Sequence, residues 1–269
     1  MTTTKKLLAI FAHPDDEAFG TGGTLSKCAA EGVDVHLIIA TNGDAGQISD
    51  PNLATPETLG RVREQELRQA CDCYGINSPY LLGYPDGKLT VVDQKEAVGK
   101  IVQLIRTIQP QVVLTFGPDG IYGHYDHLAC HRWATIAVRL AADADWFPEH
   151  FTEEVQPHTV SKVYFRATSQ SWIDTMRQNG GGDVMMHGVP FSFFGYPDEQ
   201  ITTQIDIRPY ARLKQRGILS HATQIKDTSR FEGEAALDQP IFQVETFIRT
   251  YSSVPVDETT IEANLFAGL

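Results

Sequence analysis

Three features of the 269-residue chain predict an α/β fold, with a mostly parallel sheet and helices on both faces. Strand-like and helix-like runs alternate over its first half. The strand-like runs are almost wholly apolar, as strands covered on both sides must be. Polar clusters begin where two of those runs stop.

The first run, Leu7, Leu8, Ala9, Ile10, Phe11 and Ala12, makes residues 6–12 a strand. Asp15, Asp16 and Glu17 follow, and such acids suit the unpaired N–H groups and positive dipole end of a helix over 17–31. VDVHLIIA, residues 33–40, reads as a second strand, and 56–75 as a long charged helix. A short strand over 79–84 comes next. The spacing of Val98, Ile101, Val102 and Ile105 predicts a helix over 92–109, and a strand over 111–116 and a helix over about 126–143 complete the alternation. Beyond residue 145 the pattern loosens. Gly, Pro and aromatics crowd 146–159 and 179–200, which read as long loops, whereas 201–207 alternates as a strand and 208–223 and 240–251 read as helices. The expectation is one domain over 1–269, with a Rossmann-like core over 1–145 and a loop-rich C-terminal portion over 146–269.

Composition suits a globular enzyme: 42% of residues are hydrophobic and 21% charged. The formal net charge of −12 excludes phosphate-backbone binding as the main role, which needs clustered Lys and Arg. No apolar run approaches the ~20 residues that span a bilayer. The stretch before His13 is too short for a secretory leader and lacks a small-residue cleavage site, so no membrane partner is expected. Cys28, Cys71, Cys73 and Cys130 show no Cys-x-x-Cys spacing and fit reduced thiols, hence a cytoplasmic location.

Chemistry concentrates at two strand ends. The first carries His13, Asp15 and Asp16; the second, GPDGIYGHYDH over 117–127, carries Tyr122, His124, Asp126 and His127. If the two strands are parallel neighbours, both loops open on one edge of the sheet and converge. His13, Asp16 and His127 then make a three-ligand metal site, and two imidazoles with one carboxylate suit Zn2+, although ligand type also admits Fe2+. Three protein ligands leave a position for water, which marks catalysis. Asp15 points away from its neighbour Asp16 and is free to act as general base. His124, with Asp126 as partner keeping its ring protonated, and Tyr122 are placed to stabilise an oxyanion.

HPDDE after the first strand and His-x-Asp-His after a later one resemble the LmbE-like, or PIG-L-like, zinc-dependent de-N-acetylases, which deacetylate N-acetylglucosamine conjugates. The resemblance implies the same ligands and base: His13, Asp16 and His127 on zinc, Asp15 as base, with His124 and Tyr122 serving the transition state. It extends to weaker elements. Asp44 in NGDAGQ is similar to a sugar-hydroxyl partner, Arg63 and Glu66 to an Arg-x-x-Glu helix on the substrate side, and Asp86 in YPDGKL to a substrate-side acid. Lys214, His221 and Gln224 match a C-terminal segment. The implied partner is a small amino-sugar substrate. Tyr125 departs from the Pro common at that position, which bears on substrate identity.

Plainer readings stand beside these. Arg63 and Glu66 also fit a solvated i,i+3 pair, Asp86 a Pro-Asp-Gly turn, His221 a packing histidine, and His131 a locally bonded one. Phe191, Phe193, Phe194 and Tyr196 leave a substrate mouth, a contact between copies of the chain and core packing all open. Two other function classes compete: a nucleotide binder on the Gly-rich GTGGT of 20–24, whose spacing fails G-x-G-x-x-G, and a non-catalytic sugar or metal binder. An amidase of another acylated small molecule is the nearest enzymatic alternative.

Overall fold

The computed structural model describes residues 4–178, 181–186 and 188–269. Residues 179, 180 and 187, which belong to the long loop expected over 179–200, lie outside the described residues.

Seven strands form the main sheet in the order β3 (Tyr80–Tyr84), β2 (Asp34–Thr41), β1 (Lys6–Phe11), β4 (Val112–Phe116), β5 (Lys162–Arg166), β9 (Val244–Ser252) and β8 (Thr203–Asp206). The first five run parallel, and β9 and β8 complete the sheet with antiparallel pairings. Residues Leu7 to Ala12 are fully buried because β1 is a central strand, with neighbours on both edges and helices on both faces. On one face α1 (Asp16–Ala30), α2 (Leu59–Tyr74) and α7 (Ala211–Ser220) pack together; on the other, α3 (Gln94–Ile108) packs on α5 (Tyr125–Ala141).

Local chemistry sets the helix ends. The Asp93 side chain caps α3 by accepting from the Glu96 amide, and α2 stops at Gly75, whose φ of 72° is the left-handed conformation that closes helices. Among the described residues no helix is long and apolar enough to cross a membrane. All four cysteines are free.

Two expectations fail in the C-terminal half. Residues 240–251 are not helical: a short turn over Pro240–Phe242 leads into β9. Val244, Thr246, Phe247, Ile248 and Thr250 favour a strand, and that strand is held between β5 and β8, so long-range pairing overrides a local pattern that also fits a helix. The 179–200 region is also more regular than expected: it holds the hairpin β6 (Asp183–Met186) with β7 (Val189–Ser192), while β5 and α6 (Gln170–Gln178) occupy the stretch between the two expected loops.

The order of the parallel strands determines where a site forms. The chain leaves β1 for β2 on one side and returns to β4 on the other. The loops after β1 and β4 therefore diverge, and a crevice opens at the carboxyl edge between them.

Candidate metal and catalytic site

That crevice holds both polar clusters. His13 leaves β1 almost buried, and Asp16 begins α1 and folds back, one carboxylate oxygen accepting the His13 backbone N–H at 2.7 Å. The same oxygen lies 3.3 Å from His13 Nδ1, and the other lies 3.2 Å from Nε2 of His127 on α5.

Hydrogen bonding decides which ring nitrogens carry protons. His127 Nδ1 lies 3.1 Å from the Gly120 carbonyl, which only accepts, so Nδ1 donates and Nε2 is left as a bare lone pair. Buried, without a hydrogen-bond partner, that nitrogen faces an Asp16 oxygen that is also an acceptor. On His13, Nε2 lies 3.0 Å from Asp86 and 3.3 Å from Asp126, so the proton belongs there and Nδ1 turns its lone pair toward Asp16. With His13 neutral, Asp16 thus faces two electron-pair donors with no proton between them, which a divalent cation satisfies.

The local electrostatics favour positive charge at this point, which a proton on His13 supplies and a metal ion would replace. Burial opposes charge on His13, but Asp126, Asp16 and Asp86 outweigh it and hold the ring well above its usual pKa. Burial likewise opposes charge on Asp16, yet His127 and His13 hold its carboxyl well below the usual range. Among the described residues two triads have donor atoms all within 4.8 Å of one another, His13, His124 and His127, and His13, Asp86 and Asp126; the expected set is not one of them, since Asp16 meets His13 and His127 through different oxygens. In the first, His124 Nδ1 already accepts the Asp126 backbone N–H. In the second, the protonated Nε2 of His13 serves as a hydrogen-bond donor. His13, Asp16 and His127 are therefore the set with free lone pairs.

Asp15 stands beside this set in a left-handed conformation, φ 113°, which costs a non-glycine residue of order 1–3 kcal/mol and must be held by its surroundings. Its backbone N–H donates to Glu17 at 3.0 Å, and Arg63 Nη2 donates to its carboxylate at 3.1 Å. Burial raises the Asp15 carboxyl to about 6, against the pull of Arg63. Glu17, fully buried, pairs at 2.7 Å with His221. The acid that simply closes the first motif thus links the Asp15 backbone to a histidine 204 residues away.

The second loop carries Tyr122, His124 and Asp126 at the start of α5. Ile121 has φ 70°, and this kink turns the Tyr122 ring against His124 and His127, with ring centroids 5.8 and 5.5 Å apart. Phe193 packs on the other side of Tyr122 at 5.5 Å, and the Phe194 N–H donates to the Ile121 carbonyl. The expected pairing of Asp126 with His124 is not formed. The Asp126 carboxylate instead accepts from the Gly87 and Leu89 amides and reaches His13, because the first turn of α5 points it toward the loop after β3. The ring of His124 is not held protonated either. Burial, with His127 and His13 nearby, lowers it to about 4, and with Nδ1 accepting, its proton sits on Nε2.

The residues expected on the substrate side divide. Asp44 is exposed at the rim. Asp86 receives the Ala45 N–H but spends its other oxygen on His13, so it supports a metal-ligand candidate instead of facing open space. Arg63 is 3% exposed and grips the Gly43 and Pro14 carbonyls as well as Asp15, which makes it a support for Asp15. Arg63 and Glu66 are not a surface pair: Glu66 is buried and accepts from Thr223. Lys214 is neutralised by Glu245, Gln224 bonds to the Gln47 carbonyl, and His131 bonds to the Phe116 carbonyl. The GTGGT run lies inside α1, where a Cβ on Gly23 would sit 2.6 Å from Ile207, so its glycines serve helix packing.

Residues 8–138 match the family described as PIG-L: GlcNAc-PI de-N-acetylase. The chain is 35% identical over 298 residues to a 1D-myo-inositol 2-acetamido-2-deoxy-alpha-D-glucopyranoside deacetylase of Streptomyces griseus, covering 98% of this chain and 89% of that protein. A protein of Rhodococcus jostii with the same name is 31% identical over 98% of both chains. Among solved structures, N,N'-diacetylchitobiose deacetylase from Pyrococcus horikoshii superposes with a TM-score of 0.67 at 19% identity, covering 92% of this chain and 84% of that one. At that identity the likeness speaks for the fold alone.

Proposed function

The chain belongs to the PIG-L family of de-N-acetylases, and from that membership and the geometry above we propose that it removes the acetyl group from an N-acetylglucosaminyl inositol. The observation that carries the reading is that the two oxygens of Asp16 meet His13 Nδ1 and the unpartnered His127 Nε2, beside a second, differently placed carboxylate, Asp15. His13, Asp16 and His127 would hold the metal, and the two-nitrogen, one-carboxylate set favours Zn2+. A bound divalent cation supplies Lewis acidity, which activates water near neutral pH and polarises an amide carbonyl.

The chain's own residues do the rest. Arg63 occupies one oxygen of Asp15, and the other accepts the proton of the attacking water as the new C–O bond forms. Asp15 then returns that proton to the amine nitrogen as the C–N bond breaks, and acetic acid, which ionises to acetate, and the free amine leave. His124, neutral and carrying its proton on Nε2, and the Tyr122 hydroxyl donate to the carbonyl oxygen as negative charge gathers there. Their roles are those of neutral donors, which stabilise charge without competing with the cation. Phe193 backs the Tyr122 ring, and the exposed Asp44 would accept from sugar hydroxyls.

The test is amine release from N-acetylglucosaminyl inositol and from N-acetylglucosamine itself by zinc-loaded protein. Release that disappears on metal removal and returns on reloading is the expected result. Zinc-loaded, folded protein that releases amine from neither compound refutes the proposal.

A further inference from the structure

Arg166 ends β5 at the same carboxyl edge of the sheet, opposite Phe116 of β4 in register. Its side chain runs over Gly20, where a Cβ would lie 1.6 Å from the guanidinium Nε, so only glycine lets it pass. Gly20 is one helical turn beyond Asp16 and on the same face of α1. The guanidinium thus lies on the wall that carries a proposed metal ligand, within electrostatic reach of Asp16, Asp119, Glu245 and Tyr122.

Although the chain has 34 acidic residues, none of the described ones pairs with this cation at ion-pair distance. Among the described residues its guanidinium makes no hydrogen bond and no ion pair. The neighbouring charges are engaged elsewhere: Glu245 by Lys214 and the Gly23 and Thr24 amides, Asp119 by Tyr196 and the Ile121 amide, Asp16 by the two imidazoles. Its nitrogens are also absent from the sealed, partnerless polar atoms, so they keep contact with solvent. A half-buried fork of donors left unpaired at the edge of a reaction site is an anion receptor in waiting.

We propose that Arg166 binds a carboxylate or phosphate group in this crevice. Two sources share that chemistry: the acetate released by the reaction, and an anionic substituent on the part of the substrate that keeps the amine. The second source rests on the deacetylase reading; anion binding itself does not.

Calorimetric titration of zinc-loaded protein with sodium acetate and with inorganic phosphate tests the receptor without turnover. Arg166→Gln is expected to weaken at least one of the two anions about 10- to 100-fold, the scale of a charge-assisted hydrogen bond. Arg166→Lys, which keeps the charge but loses the fork, should fall between. Gly20→Ala leaves the arginine in the chain but displaces it, and should weaken the same anion, which guards against an Arg166→Gln protein that fails to fold. A selective kcat/KM loss on a phosphorylated N-acetylglucosaminide, with a neutral methyl glycoside spared, assigns the substrate source. Weakened acetate binding with equal loss on both glycosides assigns the product source. Folded Arg166→Gln and Gly20→Ala proteins that bind both anions as the unaltered protein does overturn the proposal.

Discussion

Asp86→Asn is the substitution whose consequence the structure defines most closely. Asp86 places a carboxylate oxygen 3.0 Å from His13 Nε2, with its side chain only 8% exposed, and so keeps the ring proton on Nε2 and the Nδ1 lone pair turned toward Asp16. Asparagine preserves the shape but removes the charge. A hydrogen bond to a charged group contributes about 1.5–3 kcal/mol, against about 0.5–1.5 kcal/mol for a neutral one, so roughly 1–2 kcal/mol of orientation is lost. That corresponds to about 5- to 30-fold in metal affinity, overlapping the low end of the roughly 10- to 100-fold typical of groups that orient a metal-binding histidine. Asp126, 3.3 Å from the same nitrogen, takes up part of the burden. The double variant Asp86→Asn with Asp126→Asn should therefore lose more than the two single losses combined. The assay is competition for Zn2+ against a chromophoric chelator at fixed pH and salt, with circular dichroism to establish that each protein is folded. A folded Asp86→Asn protein whose zinc affinity stays within twofold of the unaltered protein would show that Asp86 does not set the His13 tautomer.

Three further outcomes follow from named contacts. Asp15→Asn should keep its metal and lose about 10²- to 10⁴-fold in kcat for amine release, whereas His127→Ala should lose the metal itself; metal analysis alongside a turnover assay checks both, and undiminished turnover in Asp15→Asn removes the base assignment. Glu262 is held below its usual pKa of 4.5 by Lys162, Tyr164 and Arg249 despite the opposing effect of burial, so its contribution to stability is present above that value and disappears as pH falls through the lower folded-state pKa. Urea midpoints of Glu262→Gln and the unaltered protein should differ at pH 7 and converge toward pH 3; a constant gap contradicts the linkage. Gly23→Ala should destabilise the fold by about 1–3 kcal/mol in urea, because the added Cβ meets Ile207 at 2.6 Å, while ATP at millimolar concentration should leave the melting temperature unchanged.

The sequence by itself determined four of the five parallel strands and the residue types of the two polar clusters. Central strands buried on both faces must be apolar throughout, so β1, β2 and β4 announce themselves locally, and the abrupt polar turn after Ala12 and after Gly117 marks where side chains leave the core. Proton placement and partner choice are different, because they depend on groups distant in sequence. That Asp126 serves His13 and not His124 follows from where the β3 loop lies, and Arg63 became a support for Asp15 because α2 carries it beneath the first motif. The strand β9 exists because β5 and β8 offer it hydrogen bonds on both edges, which no local pattern records. Arg166 has no motif at all; only the closing of β5 against β4 brings its charge to the crevice. Residue types and strand ends are local properties of a chain, whereas the tautomer of a ring and the lack of an ion-pair partner are properties of the space around it.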